Sequence, residues 1–341
     1  MTARLAFDLP PSLEASEPPE ARGLTRDAVR MLVARRDTGA LTHSTFALLP
    51  SFLDPGDLVV INTSGTLPAA VQALAADGTR VGIHLSTRLD DGRWVVEPRA
   101  GRERWGSDEP PRHLALGEGA SLELHERYRG DRLWVAALDL PQPTLTWLAV
   151  HGQPIRYGYV DRPWPISMYQ NVYATEPGSA EMPSAGRPFT PEVLMRLVAK
   201  GIGVTPVVLH TGVASLESDE LPYPERVRVP PETAARINAT HAAGGRVVAV
   251  GTTAVRAVET AAASDGRVDA YDDWTDLVVT PERGVRAVDG LLTGWHEPEA
   301  SHLLMLEAIA GRPLLESSYE ASLAESYLWH EFGDVHLLLR R

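Results

Sequence analysis

The sequence contains no cysteine and a single lysine, Lys200. The first absence excludes disulfides, thiolate metal ligands and a cysteine nucleophile together. The second leaves arginine to carry nearly all the positive charge, and that charge is outnumbered. Forty-five acidic against 32 basic residues give a net charge of −13. Affinity for polyanions comes mostly from Lys and Arg, so this balance argues against indiscriminate binding to nucleic acid. No apolar run reaches the length of a membrane span and the N-terminus lacks a secretory pattern, so a cytoplasmic address is expected. The histidines are scattered, without the short pairings that zinc sites show, and no metal is expected. No Gly-x-Ser-x-Gly elbow, internal repeat or low-complexity tract is present.

What is there is an ordinary globular composition, 44% apolar and 23% charged over 341 residues. That length is large for one core, so two domains are expected. Residues 1–20 are rich in Pro and Glu and read as an extended arm. A strand is expected over 26–34, and the apolar run 58–61 suits a strand buried on both faces. From Leu67 the texture changes to short, partly alternating strands split by Asp-Gly and Gly-rich turns, the pattern of a small antiparallel barrel. A helix over 144–151 closes this block. Strand and helix then alternate: helices at 190–201 and 231–243, strands at 203–210, 246–250, 275–279 and 335–339. The expected fold is therefore a mixed α/β domain, 1–66 and 158–341, with an inserted small antiparallel β-barrel domain over 67–157.

Four stretches can carry chemistry. Gly251-Thr252-Thr253 joins a buried strand to a helix start, where free N–H groups and hydroxyls suit a carboxylate or phosphate. The loop around Pro183-Ser184-Ala185-Gly186 is small and polar, letting a ligand approach backbone atoms. His210 and Gly212 stand at the end of a strand, where open α/β sheets bind ligands. Near the C-terminus, Gly294-Trp295-His296-Glu297 reads as a polar loop after a short apolar insert, Leu291-Leu292. Pro298 would open the following helix, with Glu299 in its first turn, and Gly311 with Pro313 would stop it. At each histidine a packing role and a chemical one both remain open.

Taken in order, these segments resemble the S-adenosylmethionine:tRNA ribosyltransferase-isomerase family of queuosine synthesis. The resemblance runs through Phe7-Asp8-Leu9-Pro10-Pro11, Pro55-Gly56-Asp57-Leu58, Tyr169-Gln170 and Pro183-Ser184-Ala185-Gly186. It continues through Leu209-His210, Val250-Gly251-Thr252-Thr253 with Arg256, Val288-Asp289-Gly290-Leu291-Leu292-Thr293, His296 and Gly333-Asp334. It implies a mixed α/β domain with an inserted antiparallel barrel. It also implies a reaction with no cofactor beyond S-adenosylmethionine as substrate. The ribosyl part is moved onto 7-aminomethyl-7-deazaguanine in tRNA and rearranged, and adenine and methionine leave. On this resemblance His296, His210 and Glu225 are the expected catalytic residues. Tyr169, Gln170, Ala185, Gly186, Gly212, Gly251, Thr252, Thr253, Arg256 and Asp334 are the expected binding residues, Arg256 and the Thr252–Thr253 turn serving the methionine carboxylate.

The chain also departs from the family pattern. Asn62-Thr63-Ser64-Gly65 stands for Asn-Asp-Thr-Arg, and Ala70 stands for a later Arg. Pro188 replaces a His, Pro222-Tyr223-Pro224-Glu225 replaces Met-His-Ser-Glu, and Glu299 replaces a Lys. Lost cations and the net charge predict weak tRNA binding. Two other readings thus stay open: a diverged paralogue acting on S-adenosylmethionine with a small acceptor or by elimination, and a non-catalytic ligand-binding protein. The expected assembly is a monomer or weak homodimer.

Overall fold

A computed structural model of the chain describes residues 4–106, 109–213 and 222–340. An extended arm broken by short 3-10 turns leads into β1 (Arg30–Arg35), β2 (Leu41–Thr45), β3 (Leu58–Asn62) and β4 (Ser64–Thr66). Seven strands then follow in one block: β5 (Ala70–Ala75), β6 (Arg80–Arg88), β7 (Trp94–Ala100), β8 (Glu103–Arg104), β9 (His113–Gly117), β10 (Ala120–Tyr128) and β11 (Leu133–Asp139). Helix α1 (Thr144–His151) ends that block. The chain returns through β12 (Glu176–Ser179), α2 (Pro191–Ala199), β13 (Gly203–Leu209), β14 (Glu225–Val229) and α3 (Pro231–Ala242). Next come β15 (Val247–Val250), α4 (Thr252–Thr260), β16 (Tyr271–Thr275) and β17 (Gly290–Gly294). Helices α5 (His302–Ala310) and α6 (Arg312–Ala324) precede the last strand, β18 (Val335–Leu339).

Nine strands form the main sheet in the order β16-β14-β13-β3-β15-β17-β18-β1-β2. Its middle, β13-β3-β15-β17, is parallel, and its outer pairs β13–β14, β14–β16 and β1–β2 are antiparallel. The run 58–61 is apolar throughout because alternate residues face two different cores. Leu58 and Val60 pack with α3, α4, α5 and α6, while Val59 and Ile61 pack with α2. Asp57 anchors the start of β3, accepting from the Arg246 amide at 2.9 Å and from its guanidinium at 2.5 Å.

The inserted block is a closed antiparallel barrel, as expected. Strands β7-β11-β10-β9-β5-β6 return to β7, and β8 extends β7 outside the ring. Its core draws on residues from Leu67 to Ile155, takes in Trp147 of α1, and is completed by Ala180 and Val213 from the main domain. The short parallel pair β4–β12 ties it to the main sheet.

The two ends of the chain are joined. Ala15 N–H donates to the Trp329 carbonyl, Trp329 N–H donates to Leu13, and Arg22 reaches the Phe332 carbonyl at 2.8 Å. Arg4 bonds the Glu299 carbonyl, and Glu299 N–H donates to Leu5. Strand β1 lies parallel to β18.

Three local expectations are corrected. The expected strand 275–279 lies earlier, at β16, where Asp272 and Asp273 meet Arg226 of β14. The chain leaves the sheet once Thr275 Oγ1 accepts from Leu277 N–H. Leu291-Leu292 is no insert but the centre of β17, buried on both faces. Helix α5 starts at His302 rather than at Pro298, because Glu299 takes φ +60° and gives its N–H to the N-terminal arm. Pro313, at the end of α5 as expected, also opens α6. Among the described residues no helix is long and apolar enough to cross a membrane.

Candidate active site

The parallel strands β3, β13, β15 and β17 end on one side of the sheet, and a cleft of about 340 Å³ opens beside those ends. One wall is the start of α4. Gly251 has φ +87°, a conformation that costs little only in glycine, and it turns β15 sharply into the helix. Among the described residues, the Thr252 and Thr253 amides have no backbone acceptor, so the positive end of α4 faces the cleft. Asn62, at the end of β3, holds this turn: its Nδ2 donates to Leu209 O at 2.9 Å and to Thr253 Oγ1 at 3.2 Å. The 183–186 loop meets the same turn, with Ala185 Cβ 3.6 Å from where a Gly251 Cβ would stand. The two backbone-rich stretches of the sequence thus form one surface.

Arg256 lies one turn further along α4, in the cleft wall, but its guanidinium is engaged. It pairs with Glu225 and donates to the carbonyls of Leu277 at 3.1 Å, Thr275 at 3.3 Å and Tyr223 at 3.4 Å. Glu225 in turn accepts the Gly212 amide at 2.9 Å. The pair is buried, so losing either partner would strand the other charge. Both residues stand where the sequence expected site residues, yet here they face each other rather than open space.

The opposite wall contains a feature that sequence reading passed over. Trp-His-Glu occurs twice, as Trp295-His296-Glu297 and as Trp329-His330-Glu331. The tryptophan rings pack at 5.3 Å, and Trp329 Nε1 donates to the His296 carbonyl at 3.1 Å. His296 Nε2 lies 2.8 Å from Thr293 Oγ1, and the ring stacks on His302 at 4.7 Å. Burial, then the neighbouring His302, His330 and His336, hold the His296 pKa well below its ordinary value. Burial and Arg256 bring His302 down to about 4. Both rings are therefore neutral near pH 7 and can accept a proton. Folded-state depression of a histidine pKa adds stability that is full above about 6.5 and fades as pH falls toward the folded value.

His330, with φ +70°, stacks on Tyr159 at 3.9 Å and lies 3.4 Å from Glu14. Tyr159 donates its hydroxyl proton to Glu331. Burial raises the Glu331 pKa, with the Tyr159 hydrogen bond opposing. A carboxyl that keeps its proton longer than usual is a possible acid. His302, Tyr159, His330 and Glu331 all line the cleft, and the repeated triplet was the signal that could have found the last two.

Of the expected residues, Tyr169, Ala185, Gly212, Glu225, Gly251, Thr252, Thr253, Arg256 and His296 line the cleft. Four do not. His210 sits 2.8 Å from Ser64 Oγ and 3.7 Å from Glu176, on the β4–β12 pair. Gln170 is clamped to β4, donating to Thr66 O at 2.7 Å and accepting from Thr66 N at 3.0 Å. Gly186 is tight against Tyr173, whose hydroxyl would be 1.9 Å from an added Cβ. Asp334 accepts the Arg30 and Leu328 amides at 2.7 and 2.8 Å, which joins β1 to the second triplet's loop.

A family model described as "Queuosine biosynthesis protein" matches residues 2–338. A protein of Moorella thermoacetica named S-adenosylmethionine:tRNA ribosyltransferase-isomerase is 34% identical, the match covering 98% of each chain. One of the same name from Acidiphilium cryptum is 35% identical, again over 98% of each. The crystal structure of an S-adenosylmethionine tRNA ribosyltransferase from Thermotoga maritima superposes with a TM-score of 0.56 at 30% identity. That match covers 99% of this chain and 100% of the other.

Proposed function

The chain belongs to the queuosine biosynthesis family of S-adenosylmethionine:tRNA ribosyltransferase-isomerases, and from that membership we propose how its cleft performs their reaction. The protein is a transferase-isomerase that uses S-adenosylmethionine and modifies tRNA. The observation that carries the assignment of roles is the facing of two polar walls. One wall is the α4 N-terminus, and the other is the pair of Trp-His-Glu triplets.

In this reading the methionine carboxylate lies at the Thr252 and Thr253 amides, where a helix start favours an anion. The sulfonium acidifies the adjoining ribose C5′–H, and neutral His296 takes that proton. The C5′ electron pair closes a bond to C1′, the ring oxygen moves from C1′ to C5′ and displaces methionine, and the C5′–S pair stays on sulfur as the thioether. Adenine leaves from C1′ and needs a proton, which the Glu331 carboxyl supplies, with Tyr159 holding it in place. The aminomethyl nitrogen of 7-aminomethyl-7-deazaguanine in tRNA takes the place of adenine on C1′, forming the new C–N bond and giving up one proton. Glu225 and Arg256 act by fixing the cleft wall. The division at 66/67 and 157/158, a cytoplasmic setting and a monomeric or weakly dimeric state complete the reading; the barrel strands and α1, all between Ala70 and His151, support the division.

The test is to supply S-adenosylmethionine with and without tRNA carrying the deazaguanine base, and to follow adenine and methionine. Release with ribosyl transfer to tRNA is expected. In Thr253→Val, calorimetry should show S-adenosylmethionine affinity reduced roughly tenfold, a loss of about 1.4 kcal/mol. Unchanged affinity would remove the Thr253 hydroxyl, and the turn that Asn62 holds through it, from the anion site.

A further inference from the structure

Beside the cleft lies a second cavity, a groove of about 720 Å³ between the barrel and the main domain. We propose that it seats the nucleotide next to the modified one in a single-stranded segment of the RNA. The proposal rests on the tRNA reading above and adds where the strand runs.

Charge is the first argument. The chain is strongly acidic as a whole, yet among the described residues the groove is lined by Arg99, Arg102, Arg156 and His84 and by no Asp or Glu. Arg99 and His84 pair with Glu97, which is 2% exposed and outnumbered: Arg99 lies at 3.0 Å, Arg132 at 3.2 Å and His84 at 3.6 Å. Burial would raise the Glu97 pKa, but those cations bring it down to about 2. It is thus ionised and offsets only part of the positive charge around it. The Arg102 side chain is exposed on the turn after β7. Arg156 bonds a carbonyl, that of Asp161 at 3.1 Å, and among the described residues no carboxylate pairs with it.

Chemistry of the wall is the second argument. Trp164 lines the groove, with the Arg162 guanidinium 4.2 Å from its ring centre. Among the described residues its Nε1 is buried without a hydrogen-bond partner, as is the hydroxyl of the buried Tyr169. Such donors carry a desolvation penalty that a polar ligand can relieve. An aromatic ring among arginines is how unpaired bases and their phosphates are held without reading sequence. A duplex would instead need a broad basic face, which the net charge disfavours.

Position is the third. Thr66, Pro154 and Tyr169 line both cavities, so groove and cleft share a wall. A base in the cleft leaves its neighbour at the groove.

The test is filter binding of deazaguanine-containing tRNA across a salt series. It compares the full-length protein with Arg102→Glu, Arg156→Glu, their double variant, Trp164→Ala and Trp164→Phe. The double variant should bind at least tenfold more weakly, with a log–log salt slope shallower by about 1.4, roughly 0.7 per lost phosphate contact on a single strand. Trp164→Ala should lose roughly tenfold and Trp164→Phe should regain most of it, as stacking requires. S-adenosylmethionine affinity by calorimetry should not change in any arginine variant. Equal tRNA affinity and slope in the double variant would overturn the groove, as would arginine variants that lose both ligands together. Failure of the unaltered protein to bind tRNA at any salt would overturn the tRNA reading itself, and is distinguishable because it needs no variant.

Discussion

Trp295-His296-Glu297 and Trp329-His330-Glu331 are one tripeptide placed in two environments. In the first, the histidine is held by Thr293 and stacked on a second neutral ring, while Glu297 is largely exposed. In the second, the histidine is stacked on a tyrosine beside Glu14, and Glu331 is enclosed with a raised pKa. In the proposed mechanism the first therefore supplies the base, its ring resisting protonation, and the second the acid, its carboxyl holding a proton longer than usual. Surroundings, more than residue type, separate the two halves of a proton-transfer pair.

The largest test of that contrast is to remove the first histidine. His296→Asn should lower turnover by roughly 100-fold or more with little change in melting temperature. Equal activity, or inactivity caused by unfolding, would return His296 to packing. Next, Glu331→Gln keeps the shape and removes the dissociable proton. We expect turnover to fall by roughly tenfold or more, at the low end of acid catalysis. The wild-type rate should decline as pH rises through the elevated Glu331 value, because the active form is protonated, and that limb should vanish in the variant. A limb that persists would assign it to another group. The smallest effect should come from Glu297→Gln. Its exposed side chain lies 3.9 Å from His330, a screened contact worth well under about 1 kcal/mol. Activity within twofold of wild type is expected, and a loss comparable to that of Glu331→Gln would erase the distinction between the triplets.

Much of the fold was legible because local rules suffice for it. Apolar runs bounded by turns gave β3, β13, β15 and β18, and Thr190-Pro191-Glu192 marked α2, whose Thr190 side chain does cap Val193 N–H at 3.2 Å. The barrel announced itself through closely spaced strands. The start of α5 was not legible, because Glu299 is bent by a hydrogen bond to Leu5, almost the whole sequence away. The site was half legible for the same reason. Gly251-Thr252-Thr253 is a local device, whereas the engagement of Arg256 depends on Glu225 and on three carbonyls from other segments. Glu331 is enclosed beside Tyr159, 172 positions earlier, and it is burial that raises its pKa. No window of neighbouring residues contains that information.

The joined ends of the chain have a consequence for its synthesis. Arg22 and its partner Phe332 are 310 positions apart, and β1 waits for β18. At ribosomal speeds of about 5–20 residues per second, the arm emerges roughly 15–60 s before the segment that holds it. A nascent chain can close its barrel in that interval, since those pairings are nearby in sequence. It cannot assemble the second triplet's wall, so catalytic competence arrives last and all at once, as a property of the finished polypeptide.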